Sequence, residues 1–167
     1  MKSKQKIPIE FFRIKKHLFN NIVDSFIKYE AFITIIKNGR VINYIRYIIY
    51  LLLLQNICTE KVEKIWGYYA VLKKYNQPDG EKLKALFMNP SSAISLQSHN
   101  FRVEHFIVIK GIVKVIINES ILILKEGEYA FVPINAKHQI INQTHEVAVV
   151  GELQVGSAIS EEDIIRY

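Results

Sequence analysis

Gln97-Ser98-His99-Asn100-Phe101-Arg102-Val103-Glu104-His105 places three candidate metal ligands, Gln97, His99 and Glu104, within eight residues of a stretch patterned like β-strand. A further histidine, His138, follows a second turn signal. Imidazole, carboxylate and amide oxygen make a mixed nitrogen and oxygen donor set, which suits zinc, manganese, iron, cobalt or nickel better than a thiolate site would. The local code points to a metal site before any fold is named.

The sequence around this run is that of short strands. From Trp66 onward apolar residues alternate with polar ones or gather in short runs, predicting strands over 82–88, 93–97, 105–110, 113–117, 121–124, 130–133, 138–142 and 147–155. Asn89-Pro90, Gly111, Asn118-Glu119-Ser120 and Glu126-Gly127 break them. Many short strands at spacings of about ten residues signal an antiparallel sandwich or barrel, whose jelly-roll form encloses a pocket between sheets. An immunoglobulin-like sandwich has no Cys…Trp…Cys pattern to support it.

Residues 1–60 read differently. Gly39 is their only glycine, and Ile, Leu, Phe and Tyr alternate with Lys and Arg at loosely helical spacing, which predicts a helical extension. Within 41–58 the apolar run is uninterrupted only over 47–54, because Asn43, Arg46, Gln55 and Asn56 flank it. A buried or self-associating helix is therefore favoured there over membrane association.

At 167 residues, 50% hydrophobic and 23% charged, the chain has room for one domain and an appendage. The net charge of +6 comes from the start of the chain, where residues 1–50 hold ten of the 22 Lys and Arg but three of the 16 Asp and Glu. No helix-turn-helix, zinc-finger or RNA-binding signature accompanies the charge, so nucleic acid is not an expected partner. Cys58 is the single cysteine, which excludes an internal disulfide and fits a reducing compartment. The first residues lack the apolar core and cleavage site of a secretory signal, and a cytoplasmic location is expected.

Two blocks line up: Gln97-x-His99, four residues, Glu104, six residues, Gly111; then Gly127, five residues, Pro133, four residues, His138, three residues, Asn142. Together they resemble the two motifs of the cupin superfamily. The implied fold is mainly β, a double-stranded β-helix or jelly-roll barrel over 61–167, preceded by the helical extension of 1–60. The Gln-x-His opening narrows the resemblance. With Trp66-Gly67-Tyr68-Tyr69, the Ser95 to His105 run, Val132 to His138, Glu152 to Gly156 and Glu161 to Arg166, it is similar to the type II mannose-6-phosphate isomerases. That domain forms the C-terminal part of bifunctional mannose-1-phosphate guanylyltransferase/mannose-6-phosphate isomerase. Asn135 stands where the second motif usually has Gly, and Asn100 and Phe101 stand where the family has a His-rich run.

The resemblance implies an aldose–ketose isomerase acting on a sugar phosphate, mannose 6-phosphate to fructose 6-phosphate, in precursor supply for GDP-mannose and polysaccharide. It implies Gln97, His99, Glu104 and His138 as ligands of a divalent metal, zinc foremost, although the Gln97 amide would serve equally as a hydrogen-bonder behind the ligands. Glu152 is the candidate base, or the partner of a cation, because the alternation Glu152-x-Gln154 aims it at the same cavity. Arg102 and Lys137 are candidate cations for the phosphate or for an enediolate. His105 alternates away from Glu104 and is left out of the metal site. Arg166 reads as a structural ion-pair partner, and Trp66, Tyr68 and Tyr69 as packing residues. Residues 1–60 carry no nucleotide-binding loop, so guanylyl transfer is not expected of this chain. A metal- and sugar-binding cupin without turnover, or a remnant of a longer bifunctional enzyme, is the alternative. Homodimers through sheet contacts are common among cupins and compatible with this sequence.

Overall fold

Alternation along the chain builds twelve strands in the computed structural model, which describes residue 58, residues 60–77 and residues 79–167. In chain order they are β1 (Glu60–Lys64), β2 (Gly67–Gln77), β3 (Asp79–Met88), β4 (Ser92–Ala93), β5 (Gln97–His99), β6 (Arg102–Lys110), β7 (Ile112–Ile117), β8 (Ser120–Lys125), β9 (Tyr129–Val132), β10 (His138–Asn142), β11 (Ala148–Gly156) and β12 (Ile164–Arg166). A short 3-10 turn, Glu161–Asp163, precedes β12. The helical reading of 1–60 and the membrane question over 41–58 fall outside the described residues, save 58 and 60. Among the described residues no helix is long and apolar enough to cross a membrane.

The strands form two sheets, one in the order β1-β2-β3-β11-β6-β9 and the other β12-β5-β10-β7-β8, with β4 paired to β10. All the pairings are antiparallel. This is the two-sheet, mainly β architecture expected of a cupin. One core joins the sheets: Met88, Phe106, Val108 and Val150 from the first meet Val113, Val115 and Ile140 from the second. Each such side chain taken out of water contributes about 1.5–3 kcal/mol.

Register then decides where polar groups sit. Across the first sheet Lys84 lies opposite Glu152, which lies opposite Phe106; Lys82 lies opposite Gln154, which lies opposite Glu104. Directly opposed residues share a face of the sheet, so two rungs of charged and amide side chains stand next to the rung Leu86, Val150, Val108. The apolar core thus fills one part of the interior and a polar wall lines the rest.

The strand boundaries depart from the sequence prediction in particular places. The segment predicted as one strand over 93–97 is two short ones, and Ile94 between them bonds through its backbone N–H to Ile140 O at 3.1 Å. β6 begins at Arg102 rather than at residue 105, which draws Arg102 and Glu104 onto the ladder. β1, β2 and β12 have no counterpart among the predicted ranges; β1 and β12 are short, and their buried or half-buried positions are too few to give a clear period.

Two turn positions matter for the site. Asn135 has φ of +65°, so the Asn in place of the usual Gly takes the left-handed conformation that Asn tolerates. At Gly156 a Cβ would run into the carbonyl oxygen of Phe101 and the Cα of Arg102. The missing side chain lets β11 pass close against the start of β6.

Candidate metal centre

β5 supplies Gln97 and His99, β6 supplies Arg102 and Glu104, and β10 supplies His138. These strands belong to different sheets, and the site lies where the sheets close together. His99 Nε2 approaches Glu104 Oε1 to 3.0 Å, and His138 Nε2 approaches Glu104 Oε2 to 3.1 Å. The ligand atoms of His99, Glu104 and His138 all lie within 4.8 Å of one another, and all three residues are buried. His138 Nδ1 is 3.0 Å from Ala136 O. With the proton placed on Nδ1 to make that bond, the Nε2 lone pair faces a carboxylate.

That arrangement is a test of fit for a cation. A neutral imidazole lone pair against a carboxylate oxygen is repulsive unless a proton or a metal ion lies between them. Glu104 Oε2 receives no well-aligned hydrogen bond despite its nearness to His138, and it is fully buried. Burial pushes the Glu104 carboxyl up, but the close approach of the His138 and His99 rings outweighs it and holds it well below the usual carboxylate range. The same carboxylate raises His138 against the lowering effect of burial. A His/Glu/His set with an orphaned buried oxygen fits a divalent cation.

Arg102 is enclosed beside this cluster. Its Nε donates to Glu104 Oε1 at 3.0 Å, its Nη1 to Ser160 O at 2.8 Å, and Nη2 lies 3.3 Å from His99 Nε2. Asp163 completes the support, accepting from the backbone N–H of Asn100 at 3.0 Å and of Phe101 at 3.3 Å, with Arg102 Nη1 at 3.4 Å. Gln97 turns its amide nitrogen toward His138 Nε2 at 3.4 Å, while its oxygen accepts from Ser95 Oγ at 3.1 Å. For Gln97 to ligate a metal the amide must turn end for end.

A cavity of about 460 Å³ adjoins the cluster. Gln97, Arg102 and Gln154 line it, and each also contacts a member of the cluster. Glu152 stands on the same wall, and Gln154 Nε2 donates both to Glu152 Oε1 at 2.7 Å and to Glu104 Oε1 at 2.9 Å. Burial raises the Glu152 carboxyl to about 7 against the opposing charge of Lys84, whose Nζ is 3.9 Å away.

The other candidates lie elsewhere. Lys137 is exposed, with its Nζ 3.9 Å above the Tyr167 ring, and it does not line the cavity, because alternation on either side of His138 turns it outward. His105 points away from Glu104 and contacts Tyr129 Oη at 2.6 Å; burial lowers it to about 4. Asn100 and Phe101, where the family pattern is broken, hold their side chains at the surface, Phe101 at 53% exposure. Sequence reasoning missed Lys82, Lys84 and Glu161, all near the cavity, and Asp163. The signal for the lysines was the alternation Lys82-Leu83-Lys84, in which the leucine naturally claims the inner face.

Residues 55–167 match the family described as mannose-6-phosphate isomerase C-terminal. The chain is 31% identical over 107 residues to the xanthan biosynthesis protein XanB of Xanthomonas campestris, covering 64% of this chain and 22% of that protein. It is 31% identical over 116 residues to a mannose-1-phosphate guanylyltransferase of Salmonella montevideo, covering 68% of this chain and 23% of that one. The chain therefore spans roughly a fifth of the length of these relatives. Among solved structures, oxalate decarboxylase from Bacillus subtilis superposes with a TM-score of 0.57 at 18% identity, covering 66% of this chain and 30% of that one, a likeness of fold. With the match running through every strand that builds the cluster and its cavity, the chain belongs to the mannose-6-phosphate isomerase C-terminal family.

Proposed function

We propose that this domain is a metal-dependent isomerase that interconverts mannose 6-phosphate and fructose 6-phosphate, in the cytoplasmic supply of activated mannose for polysaccharide synthesis. The observation that carries the reading is Glu152, a buried carboxylate with its pKa near 7 on the cavity wall, joined through Gln154 to the His99/Glu104/His138 cluster. The family match and the names of the relatives support the choice of sugar.

Aldose–ketose isomerisation removes the proton from the carbon next to the carbonyl and returns it to the former carbonyl carbon, through an enediol. A base for this step works best with a pKa near the operating pH, which burial gives Glu152. In this reading Glu152 takes the proton from C-2 of the aldose and delivers it to C-1, while the O-2 hydroxyl proton passes to O-1, so that the carbonyl moves to C-2. Gln154 fixes the carboxylate by donating to its Oε1. The Arg102 guanidinium steadies negative charge that develops on the enediol oxygens. His99, Glu104 and His138 would hold a divalent cation, zinc in this proposal, which when bound polarises carbonyl and hydroxyl oxygens. Lys137 has no part in this assignment.

Incubation of mannose 6-phosphate with metal-reconstituted protein in deuterium oxide is expected to give fructose 6-phosphate carrying deuterium at C-1. Glu152→Gln is expected to lower turnover by about 10²–10⁴-fold while metal is retained. Folded, metal-loaded protein that forms no ketose overturns the proposal.

A further inference from the structure

Two lysines of β3 are buried outside the metal cluster. Lys82 and Lys84 are 7% and 5% exposed, and both follow the inner-face register next to Gln154 and Glu152. Lysine is almost never buried to this degree without a partner. Among the described residues, Glu161 is the carboxylate that reaches both, at 3.2 Å from Lys84 Nζ and 4.0 Å from Lys82 Nζ. It is a half-exposed side chain on the short turn before β12. Tyr69 lies under the pair, with its ring centroid 4.5 Å from Lys84 Nζ and 5.8 Å from Lys82 Nζ.

We propose that Lys84, which lines the cavity with Glu161, and Lys82 beside it form a phosphate-binding subsite at the cavity edge, and that the Glu161 carboxylate is an internal place-holder that a phosphate dianion displaces. Charge and geometry support it. The two ammonium groups share the half-exposed Glu161 carboxylate, with Glu152 reaching Lys84 alone, whereas a dianion in the place of Glu161 brings more charge and more acceptor oxygens for their six N–H donors. Burial and the like charge of Lys84 lower the Lys82 pKa, and a dianion beside it relieves both effects. The turn that carries Glu161 is anchored by Asp163, so Glu161 can swing outward while the support of Arg102 stays in place.

The position also fits the chemistry. Lys84 stands between Glu161 and Glu152, 3.9 Å from the latter. A phosphate in the place of Glu161 leaves the Glu152 side for the reacting carbons. The lysines and Glu104 sit on β3 and β6, with β11 between them, so roughly 10 Å separates the two strands. A hexose phosphorylated at the end remote from its carbonyl suits that interval. This orientation rests on the isomerase reading; the phosphate subsite itself does not require turnover.

The test is calorimetric titration of inorganic phosphate into the full chain freed of metal by a chelator, which removes binding to the metal. Wild type is expected to bind phosphate saturably, Lys82→Met to bind about tenfold or more weakly, and Glu161→Gln to bind several-fold more tightly. Glu161→Gln removes no donor, so tighter binding is a result that a purely structural role for the turn would not produce. Circular dichroism checks that both variants are folded, and the Glu161→Gln arm carries the test alone if Lys82→Met does not fold. No saturable phosphate binding by wild type, or equal affinity in all three proteins, overturns the proposal. Lysine-dependent phosphate binding without isomerase turnover leaves the subsite standing and sinks the isomerase reading. Turnover with an unchanged KM for mannose 6-phosphate in Lys82→Met does the reverse.

Discussion

Asn142 closes the second sequence block, and its side chain holds a loop rather than a ligand. Its Nδ2 group donates to Met88 O at 3.2 Å, Asn89 O at 3.0 Å and Glu146 O at 2.7 Å, while Oδ1 accepts from the backbone N–H and the hydroxyl of Thr144. Replacement by alanine strands several of these groups, and each buried one left unpaired costs about 1–3 kcal/mol. Asn142→Ala is therefore expected to lose about 2 kcal/mol or more of stability, read as a lower urea midpoint with an unchanged m-value. At this scale His99, Glu104 and His138 were legible in the sequence, because their spacing ties them to strand ends bounded by glycine and proline. Lys82 and Lys84 were not. A lysine alternating with leucine is assigned to solvent by default, and the carboxylates that accompany Lys84 come from far along the chain, Glu152 on the neighbouring strand and Glu161 on the turn before β12.

At the scale of elements, the short turn before β12 matters more than its length suggests. Glu161 binds it to β3, and Asp163 and Ser160 bind it to β6 and the loop before it. Burial pushes the Glu161 carboxyl up, but the charge and hydrogen bond of Lys84, helped by Lys82, hold it below its ordinary value. Because its folded pKa lies below its unfolded one, Glu161 adds stability above the ordinary carboxylate range and loses it as pH falls through the folded value. Stability measured by denaturant between pH 6 and pH 3 (about the carboxylate range) is expected to fall less steeply for Glu161→Gln than for wild type. An equal slope for both would show that the ion pairs are too well solvated to matter. The sequence showed this block as acidic residues followed by an apolar pair, but not that it folds back on the first motif. Contacts of that separation leave no local periodicity. The break of the predicted 93–97 strand was hidden for a different reason, since Ile94 and Leu96 continue an apolar pattern where the backbone leaves the ladder.

For the whole molecule, the mainly β class follows from turn residues and alternation, but eight predicted ranges stand against twelve strands, and the order β3-β11-β6 depends on which strands meet in space. That order sets the polar wall between the lysines and the metal cluster. A cation held by His99, Glu104 and His138 bridges the two sheets, so binding should stabilise the whole domain. Free metal at about a hundred times its Kd adds roughly 2.7 kcal/mol, expected as a rise of several degrees in Tm that a chelator reverses and His138→Ala abolishes. A Tm that metal leaves unchanged would argue against the cluster as a metal site. The Asp163 bonds have one more consequence. They hold Asn100 and Phe101 by backbone N–H groups, which every residue except proline possesses. The loop beside the metal cluster is thus tethered without reference to its own side chains, so these two positions are free to drift through mutation while Asp163 is not.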